Sequence, residues 1–187
     1  MSIQRIYIKN MVCPRCIEAV REIFVSFGYP SANVLLGAVE IKDDLIDLSS
    51  LEENLSERGF ELIREKDEEL LVKTKSAVIQ LIHYLDENPN LMNSAWLEEH
   101  LNERYQKISK HFSKKTGQTL EKYIIQHKIE RAKELISYDQ LSVKEIATKI
   151  GYKSVAHLSR QFKDLTKMSI TEYKNSNVST RINLDKI

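Results

Sequence analysis

Two cysteines stand three positions apart near the N-terminus, and they are the only cysteines among the 187 residues of the chain. Cys13 and Cys16 lie in the stretch MVCPRC, directly before apolar residues at helical spacing. Two thiols at a helix start lie close together, and the free N–H groups of the first turn favour a thiolate. Such a pair can hold a soft metal ion or cycle between dithiol and disulfide.

The ligand types narrow the choice of metal. Two thiolates without added histidine or carboxylate ligands suit a soft, thiophilic ion better than a closed four-ligand zinc site. We expect Cu(I), with Zn(II), Cd(II), Hg(II) or Ag(I) as alternatives. The Cys-x-x-Cys spacing is also that of thiol-disulfide oxidoreductases, so a redox switch stays open, as does a domain that binds no metal. Two such pairs could share one ion and join two chains as a homodimer.

A second set of residues that could bind a ligand lies near the C-terminus, in two short predicted helices. Ser142 and Glu145 form a capping box that starts the first helix, and Gly151 stops it. Val155, Leu158 and Phe162 predict an inward stripe on the second helix. The other face carries donors to base edges and phosphates, namely Lys153, His157, Ser159, Arg160 and Lys163. This layout is that of a helix-turn-helix, which predicts DNA binding.

The elements that position the cysteines alternate between strand and helix over residues 1–66. Apolar spacing predicts a strand before the cysteines, a helix from Cys16 to Phe27, and a hairpin turning at Gly37. Ser50 with Glu53 predicts the start of a second helix, and Gly59 leads into a last strand. The order βαββαβ is that of a ferredoxin-like unit, so we expect an α+β chain with two domains.

The rest of the chain is predicted to be helical. A connector helix spans residues 67–89 and stops at Asn88 and Pro89, with Leu91 opening the last part. Residues 90–187 contain a second copy of the helix-turn-helix, 50 residues earlier by the spacing of Phe112 and Phe162, with a long helix from Leu120 to Tyr138 between the copies. Asn102 tolerates left-handed geometry and is predicted to form the turn of the first copy. We expect Trp96 in the core, and the histidines of this part are scattered without metal-ligand spacing.

Charge separates the two halves of a chain whose net charge is only +1. Residues 1–66 carry 8 Lys and Arg against 11 Asp and Glu, whereas residues 90–187 carry 18 against 11. Only the second half therefore has the basic excess of a polyanion-binding protein. The sequence contains neither a secretory signal nor a stretch of 18 apolar residues, so we expect a cytoplasmic protein without membrane contact.

From about Leu91 to Asn175 the residues resemble the AraC/XylS family of bacterial transcription regulators. The most specific stretches are residues 146–152, 158–163, 108–112 and 116–124. The resemblance implies two helix-turn-helix motifs whose second helices enter successive segments of the major groove. It differs at Lys167 and Ile170, where family members usually have Gly and Pro, so the geometry after the second motif is not predicted.

The resemblance also implies which residues face DNA. In the first motif they are Gln106, Lys107, Ser109 and Lys110; in the second they are Val155, Ala156, His157, Ser159 and Arg160. Arg160 is the strongest candidate for a guanine contact, because its guanidinium can donate twice to one base edge. Phosphate contacts are expected from Lys114, Lys115, Lys153 and Lys163.

Residues 1–66 resemble a different module, the heavy-metal-associated domain, whose first loop carries Met-x-Cys-x-x-Cys. Met11, Cys13 and Cys16 match that motif, and Gly59 with Phe60 matches the step before its last strand. The resemblance implies that Cys13 and Cys16 bind the metal and that Met11 packs inside.

Together these features predict a DNA-binding transcription regulator, not an enzyme, that responds to a soft metal ion at Cys13 and Cys16. Its expected partners are double-stranded DNA and the transcription machinery. Two alternatives stay open. One is a regulator switched by the redox state of the same cysteines, and the other is a metal-trafficking protein whose helical half binds protein.

Overall fold

The computed structural model describes residues 3–42, 46, 48–85, 94–176 and 181–187. The chain divides into two units, Met1–Ser76 (unit 1) and Ala77–Ile187 (unit 2). The predicted helix stop at Asn88 and Pro89 and the predicted start at Leu91 lie outside the described residues.

Unit 1 contains a four-stranded antiparallel sheet, with its strands and helices in the order expected from the sequence. The elements are β1 (Gln4–Lys9), α1 (Pro14–Ser26), β2 (Asn33–Leu35), β3 (Ala38–Ile41), α2 (Leu48–Glu57) and β4 (Glu61–Ile63). The strands lie in the order β2-β3-β1-β4, with Ile6 opposite Val39 and Ile8 opposite Leu62. The central strand β1 thus leads directly into the loop that carries the cysteines.

One face of this sheet forms the main core with α1 and α2. Ile8, Phe24 and Leu51 are among its fully buried residues. The prediction that Ser50 caps α2 is wrong, because α2 begins two residues earlier, at Leu48. Leu48 packs against the same core, one helical turn before Leu51, and this contact extends the helix past Ser50.

The opposite face of the sheet is covered by the helix that the sequence assigns to a connector. This helix, α3 (Lys66–Ile79), places Val72 against Tyr7, Ala38 and Ile63. Lys9, on β1, forms ion pairs of 2.7 Å with both Glu61 and Glu68. Since α3 crosses the division between the units, its first part belongs to the sheet domain and its last part to unit 2.

The contact between α3 and the sheet predicts a strong effect at Gly37. Gly37 has φ +80°, and a Cβ there would overlap the Ser76 hydroxyl and contact Val72. We expect Gly37→Ala to lower the stability of unit 1 by about 2–4 kcal/mol, from backbone strain plus the overlap. Hydrogen exchange of the β1 and β3 amides measures this change within unit 1.

A matched control isolates the backbone term. Gly28 has φ +88° with nothing within 4 Å of its added Cβ, so Gly28→Ala should show the strain alone. Adding Ser76→Ala to the Gly37→Ala variant should recover part of the loss. Equal losses for Gly37→Ala and Gly28→Ala would contradict the close packing of α3 on the sheet.

Unit 2 is helical. After α3, a π-helical segment (Gln80–Tyr84) leads to α4 (Ser94–Leu101), α5 (Tyr105–Thr116), α6 (Leu120–Tyr138), α7 (Val143–Lys149), α8 (Val155–Thr166), α9 (Ile170–Asn175) and a short 3-10 turn (Leu184–Lys186). The long helix α6 has the predicted bounds. It contacts α5 as well as α7 and α8, so both pairs of short helices include a helix that packs on it. Among the described helices, none is both long and apolar enough to cross a membrane.

Candidate cysteine site and nucleic-acid interface

Cys13 and Cys16 lie at the start of α1, where the sequence predicts them. Cys13 is the N-cap residue, with extended backbone, and Pro14 occupies the first helical position. This places Cys16 in the first turn, where its N–H donates to the Cys13 carbonyl over 3.0 Å. The two Sγ atoms are 3.1 Å apart, and both residues are half-buried. Met11, just before them, is only 2% exposed and belongs to the core.

The loop before α1 is held by a hydrogen bond to a residue 49 positions further along the chain. Asn10 adopts a left-handed conformation with φ 69°, and its side-chain amide donates to the Gly59 carbonyl over 2.9 Å. This bond ties the cysteine loop to the chain that enters β4. The position of the thiols is therefore set by both β1 and β4.

At Cys16, the effects that raise the pKa of the thiol are larger than those that lower it, contrary to the expectation that the helix start favours a thiolate. Burial raises the pKa of the Cys16 thiol, and the Cys13 thiol beside it raises this pKa further. Backbone hydrogen bonds from Val12 and Cys13 lower it, but they are the smaller effects. The sequence pattern could not show how deeply the Cys16 sulfur is buried.

The separation of the sulfurs lies between the values that two kinds of chemistry require. A disulfide needs about 2.05 Å. Two thiolates on one tetrahedral ion, with metal–sulfur bonds of about 2.3 Å, span about 3.8 Å. The observed 3.1 Å is within a small side-chain rotation of either arrangement. Among the described residues, no cluster of three or more His, Cys, Asp or Glu side chains could hold a metal ion, so the donor set here is the two thiols.

The second helix-turn-helix consists of α7 and α8. Ser142 and Glu145 form the predicted capping box, and Gly151 makes the turn with φ 75°. Tyr152 is buried in this turn, where its hydroxyl donates to the Gln161 side chain over 2.5 Å. Since Gln161 lies near the middle of α8, this bond ties that part of α8 to the turn.

The two faces of α8 are separated as a DNA-reading helix requires. Leu158 and Phe162 are fully buried. The prediction that Val155 also points inward is wrong, because it is 37% exposed at the first helical position. This position suits the groove-facing role that the resemblance implies. The other predicted contacts of this motif are exposed or half-exposed, namely Lys153, Ala156, His157, Ser159, Arg160 and Lys163.

The first motif, α4 and α5, has the same arrangement. Asn102 makes the turn with φ 51°, as predicted. Ile108 and Phe112 of α5 are fully buried, while Lys107 forms an i,i+4 ion pair with Glu103. The exposed or half-exposed residues of α5 include each predicted contact, namely Gln106, Lys107, Ser109, Lys110, Lys114 and Lys115.

The 50-residue repeat extends past both motifs into matching hydrogen bonds. Thr116 donates to the Phe112 carbonyl over 2.9 Å, and Thr166 donates to the Phe162 carbonyl over 2.7 Å. Each phenylalanine packs on a tyrosine of the following helix, with Phe112 5.0 Å from Tyr123 by ring centroids. Despite the departures from the family at Lys167 and Ile170, α9 starts at Ile170 as α6 starts at Leu120.

The repeat gives Lys167 the conformation of its glycine counterpart. Gly117 has φ 73° and Lys167 has φ 65°, each at the C-cap of its helix. Because a left-handed backbone is strained for lysine but not for glycine, we expect Lys167→Gly to raise stability by about 0.5–1 kcal/mol. Urea denaturation followed by the fluorescence of Trp96, in unit 2, measures this. The reverse change, Gly117→Lys, should lower stability, and a gain from it would contradict the argument.

The sequence did not identify a buried pair of histidines. His83 Nε2 and His127 Nδ1 are 3.2 Å apart, although 44 positions separate the residues. Burial, and to a lesser extent the charge of Arg131, lowers the pKa of His83 to about 4, so His83 is neutral at pH 7. The π-helical segment places His83 toward α6, a geometry that ordinary helical spacing does not predict.

Trp96 is not in the core, where the sequence placed it. It is half-buried and stacks on His100 with ring centroids 4.4 Å apart. Leu97, the next residue, takes the buried position in α4.

Comparison with known proteins supports the interpretation of unit 2. A family model described as a helix-turn-helix domain matches residues 98–176. A xylose operon regulatory protein from Haemophilus influenzae is 28% identical over 102 residues, which are 54% of this chain and 26% of that protein. The chain thus spans about a quarter of the length of this curated relative. A solved DNA-binding transcriptional dual regulator from Escherichia coli K-12 is similar at 20% identity and a TM-score of 0.46, over 56% of this chain and 88% of that one. The predicted helix-turn-helix domain is confirmed by the family match.

Proposed function

We propose that the chain regulates transcription by sequence-specific binding to double-stranded DNA, and that residues 98–176, which match a helix-turn-helix domain, are a DNA-binding domain of the AraC/XylS type and not an enzyme. The main support is the internal repeat, because α5 and α8 occupy equivalent positions in two helix-turn-helix motifs that both contact α6. Each buries one stripe and presents a basic face. Two such helices can enter successive major-groove segments of one duplex. The second proposed partner is the transcription machinery, and the proposed location is the cytoplasm.

We propose further that unit 1 is a ferredoxin-like sensor of the heavy-metal-associated type. The support is the strand order β2-β3-β1-β4, the packing of α1 and α2 on one face, and the thiol pair at the start of α1. Cys13 and Cys16 would hold a soft ion, Cu(I) first, with Zn(II), Cd(II), Hg(II) or Ag(I) as alternatives. An ion shared by two chains would supply a cross-link between them.

A redox switch is the second candidate, favoured by the same 3.1 Å separation of the sulfurs. Oxidation would form one bond between the two Sγ atoms with loss of two protons and two electrons to a thiol-oxidising partner. The raised pKa of Cys16 disfavours its thiolate, which is the reacting form in this step and also the form that binds a metal, so it does not choose between the two candidates. Metal binding is the first proposal because Met11, Cys13 and Cys16 match the heavy-metal-associated motif.

The test of the metal proposal uses the full-length, reduced, metal-free chain. Cu(I), Zn(II) and Cd(II) are titrated in turn against a competing chelator, with Cys13→Ser/Cys16→Ser as the comparison. We expect one ion per chain, or one per two chains, and no binding by the variant. Light scattering with and without the ion then reports the homodimer. If none of the three ions binds, the metal proposal fails for Cu(I), Zn(II) and Cd(II). The next measurement is then the reduction potential of the Cys13–Cys16 dithiol.

The test of DNA binding separates it from a trafficking role in which the helical half binds protein. Affinity for duplex DNA is measured over a series of salt concentrations. Binding that releases counterions weakens steeply as salt rises, whereas an apolar protein interface does not. A flat salt dependence, or no binding to duplex DNA, would favour the trafficking protein.

A further inference from the structure

Unit 2 contains a cavity of about 460 Å³ along α6, here called the α6 cavity. Its walls come from α6, from α4 and the start of α5, from the turn and first half of α8, and from residues Val78 and Leu81. Small-molecule sites have volumes of about 300–1,000 Å³ and mostly apolar walls with a few polar groups. The α6 cavity has this size and composition, and of its 14 lining residues only Lys153 and His157 are among the predicted DNA contacts.

The α6 side of the cavity has a polar group at each end and apolar residues between them. Glu121, Ile124, Ile125 and Lys128 all line it. Spacings of three, four and seven residues put them on one helix face, with Glu121 and Lys128 about 10 Å apart along the axis. A ligand lying along α6 would therefore meet an apolar surface and one charged group at each end.

Lys128 lies at one end of this face, and its Nζ lies 5.0 Å above the ring of Tyr152. Among the described residues, no acidic side chain pairs with it. Burial lowers its pKa, with no carboxylate acting in the opposite direction. An anion beside this ammonium would gain a charge-assisted hydrogen bond in a poorly solvated place.

Glu121, at the other end of this face, already has a hydrogen-bond partner. Its carboxylate accepts a hydrogen bond of 2.7 Å from the Tyr105 hydroxyl. Glu121 is also more exposed than Lys128, so water solvates its charge. The cavity therefore favours a negative group over a positive one.

We propose that the α6 cavity binds a small organic monocarboxylate with an apolar body, the carboxylate at Lys128 and the body on Ile124 and Ile125. Tyr152 and His157 line the same cavity, and the Tyr152 hydroxyl donates to Gln161 near the middle of α8. A bound ligand thus contacts the turn that positions the second DNA-reading helix. An accompanying change in DNA affinity rests on the proposed function, whereas ligand binding itself does not.

The test measures binding to the full chain without DNA. Octanoate is the probe, and 1-octanol and octylamine have the same chain with no charge or the opposite charge. We expect octanoate to bind about tenfold more tightly than octanol, by titration calorimetry and by the fluorescence of Trp96 on α4, the helix that contributes Ser94 and Leu97 to the cavity wall. Lys128→Met should remove this preference, while Lys122→Met, an exposed lysine of the same helix, should keep it.

Several results would overturn the proposal. They are no binding of octanoate, tighter binding of octylamine, or an unchanged preference in Lys128→Met. If Lys128→Met does not fold, Ile124→Phe decides, because it fills the cavity without removing a charge. Octanoate binding that survives Ile124→Phe with wild-type affinity would also overturn it.

Discussion

Replacing Lys133 by Met is expected to lower the unfolding free energy of unit 2 by about 3–5 kcal/mol, a large effect for a residue outside both predicted sites. Lys133 and Glu130 form an ion pair of 2.6 Å, and each side chain is only 6% exposed. Removing the ammonium leaves the Glu130 carboxylate buried beside an apolar group. The cost comes mainly from that uncompensated charge.

The Glu130 carboxylate also holds the end of the chain. Its second oxygen accepts a hydrogen bond of 3.0 Å from the N–H of Ile182, and Arg181 lies 3.7 Å from Glu134, one turn along α6. Residues 181 and 182 are therefore tied to the helix on which both motifs are built. Loss of the pair should loosen this attachment along with the helix.

A double variant distinguishes the buried charge from lost packing. Lys133→Met combined with Glu130→Leu removes both charges and should recover most of the loss, because a buried ion pair contributes little over well-packed apolar residues. Lys122→Met, on the exposed side of α6, should stay within about 0.5 kcal/mol of the wild type. Urea denaturation followed by Trp96 fluorescence gives the three values. A loss for Lys133→Met no greater than that for Lys122→Met would contradict the prediction.

Local signals predicted the elements of this chain well. The capping box at Ser142, the bounds of α6 and the left-handed Asn102 each depend on residues within about five positions of one another. These features form through short-range hydrogen bonds and backbone preferences, which a sequence shows directly. The order of strands and helices around the cysteines could be predicted for the same reason.

Long-range contacts were the part that could not be predicted. Residue spacing does not indicate that Val72 packs on Tyr7 or that His83 pairs with His127. It also does not show that Cys16 is partly buried. The π-helical segment changes which side of the helix faces α6, so the apolar stripe expected for a regular helix does not assign His83 to a partner. At the candidate site, the residue types and their exposure could be anticipated, but not the pKa of Cys16 or the bond from Tyr152 to Gln161.

Arg160→Ala is expected to weaken binding to a specific DNA site by about 1–3 kcal/mol, or roughly 5- to 150-fold, if Arg160 donates twice to a guanine. Arg160 is exposed on α8, between the buried Leu158 and Phe162, so its removal should leave stability within about 0.5 kcal/mol. A loss of affinity can then be assigned to the interface. The site is first selected from random duplexes with the wild-type chain.

Lys163→Ala is the matched control, because Lys163 is one turn further along α8 and is expected to contact phosphate. It should weaken binding to specific and random duplexes equally and lower the slope of log affinity against log salt by about 1. Arg160→Ala should instead reduce the ratio of specific to random affinity. Equal losses on both duplexes for Arg160→Ala would place its guanidinium on the backbone. Sequence reading by the second motif would then fall to the remaining exposed residues at the start of α8, Val155, Ala156 and His157.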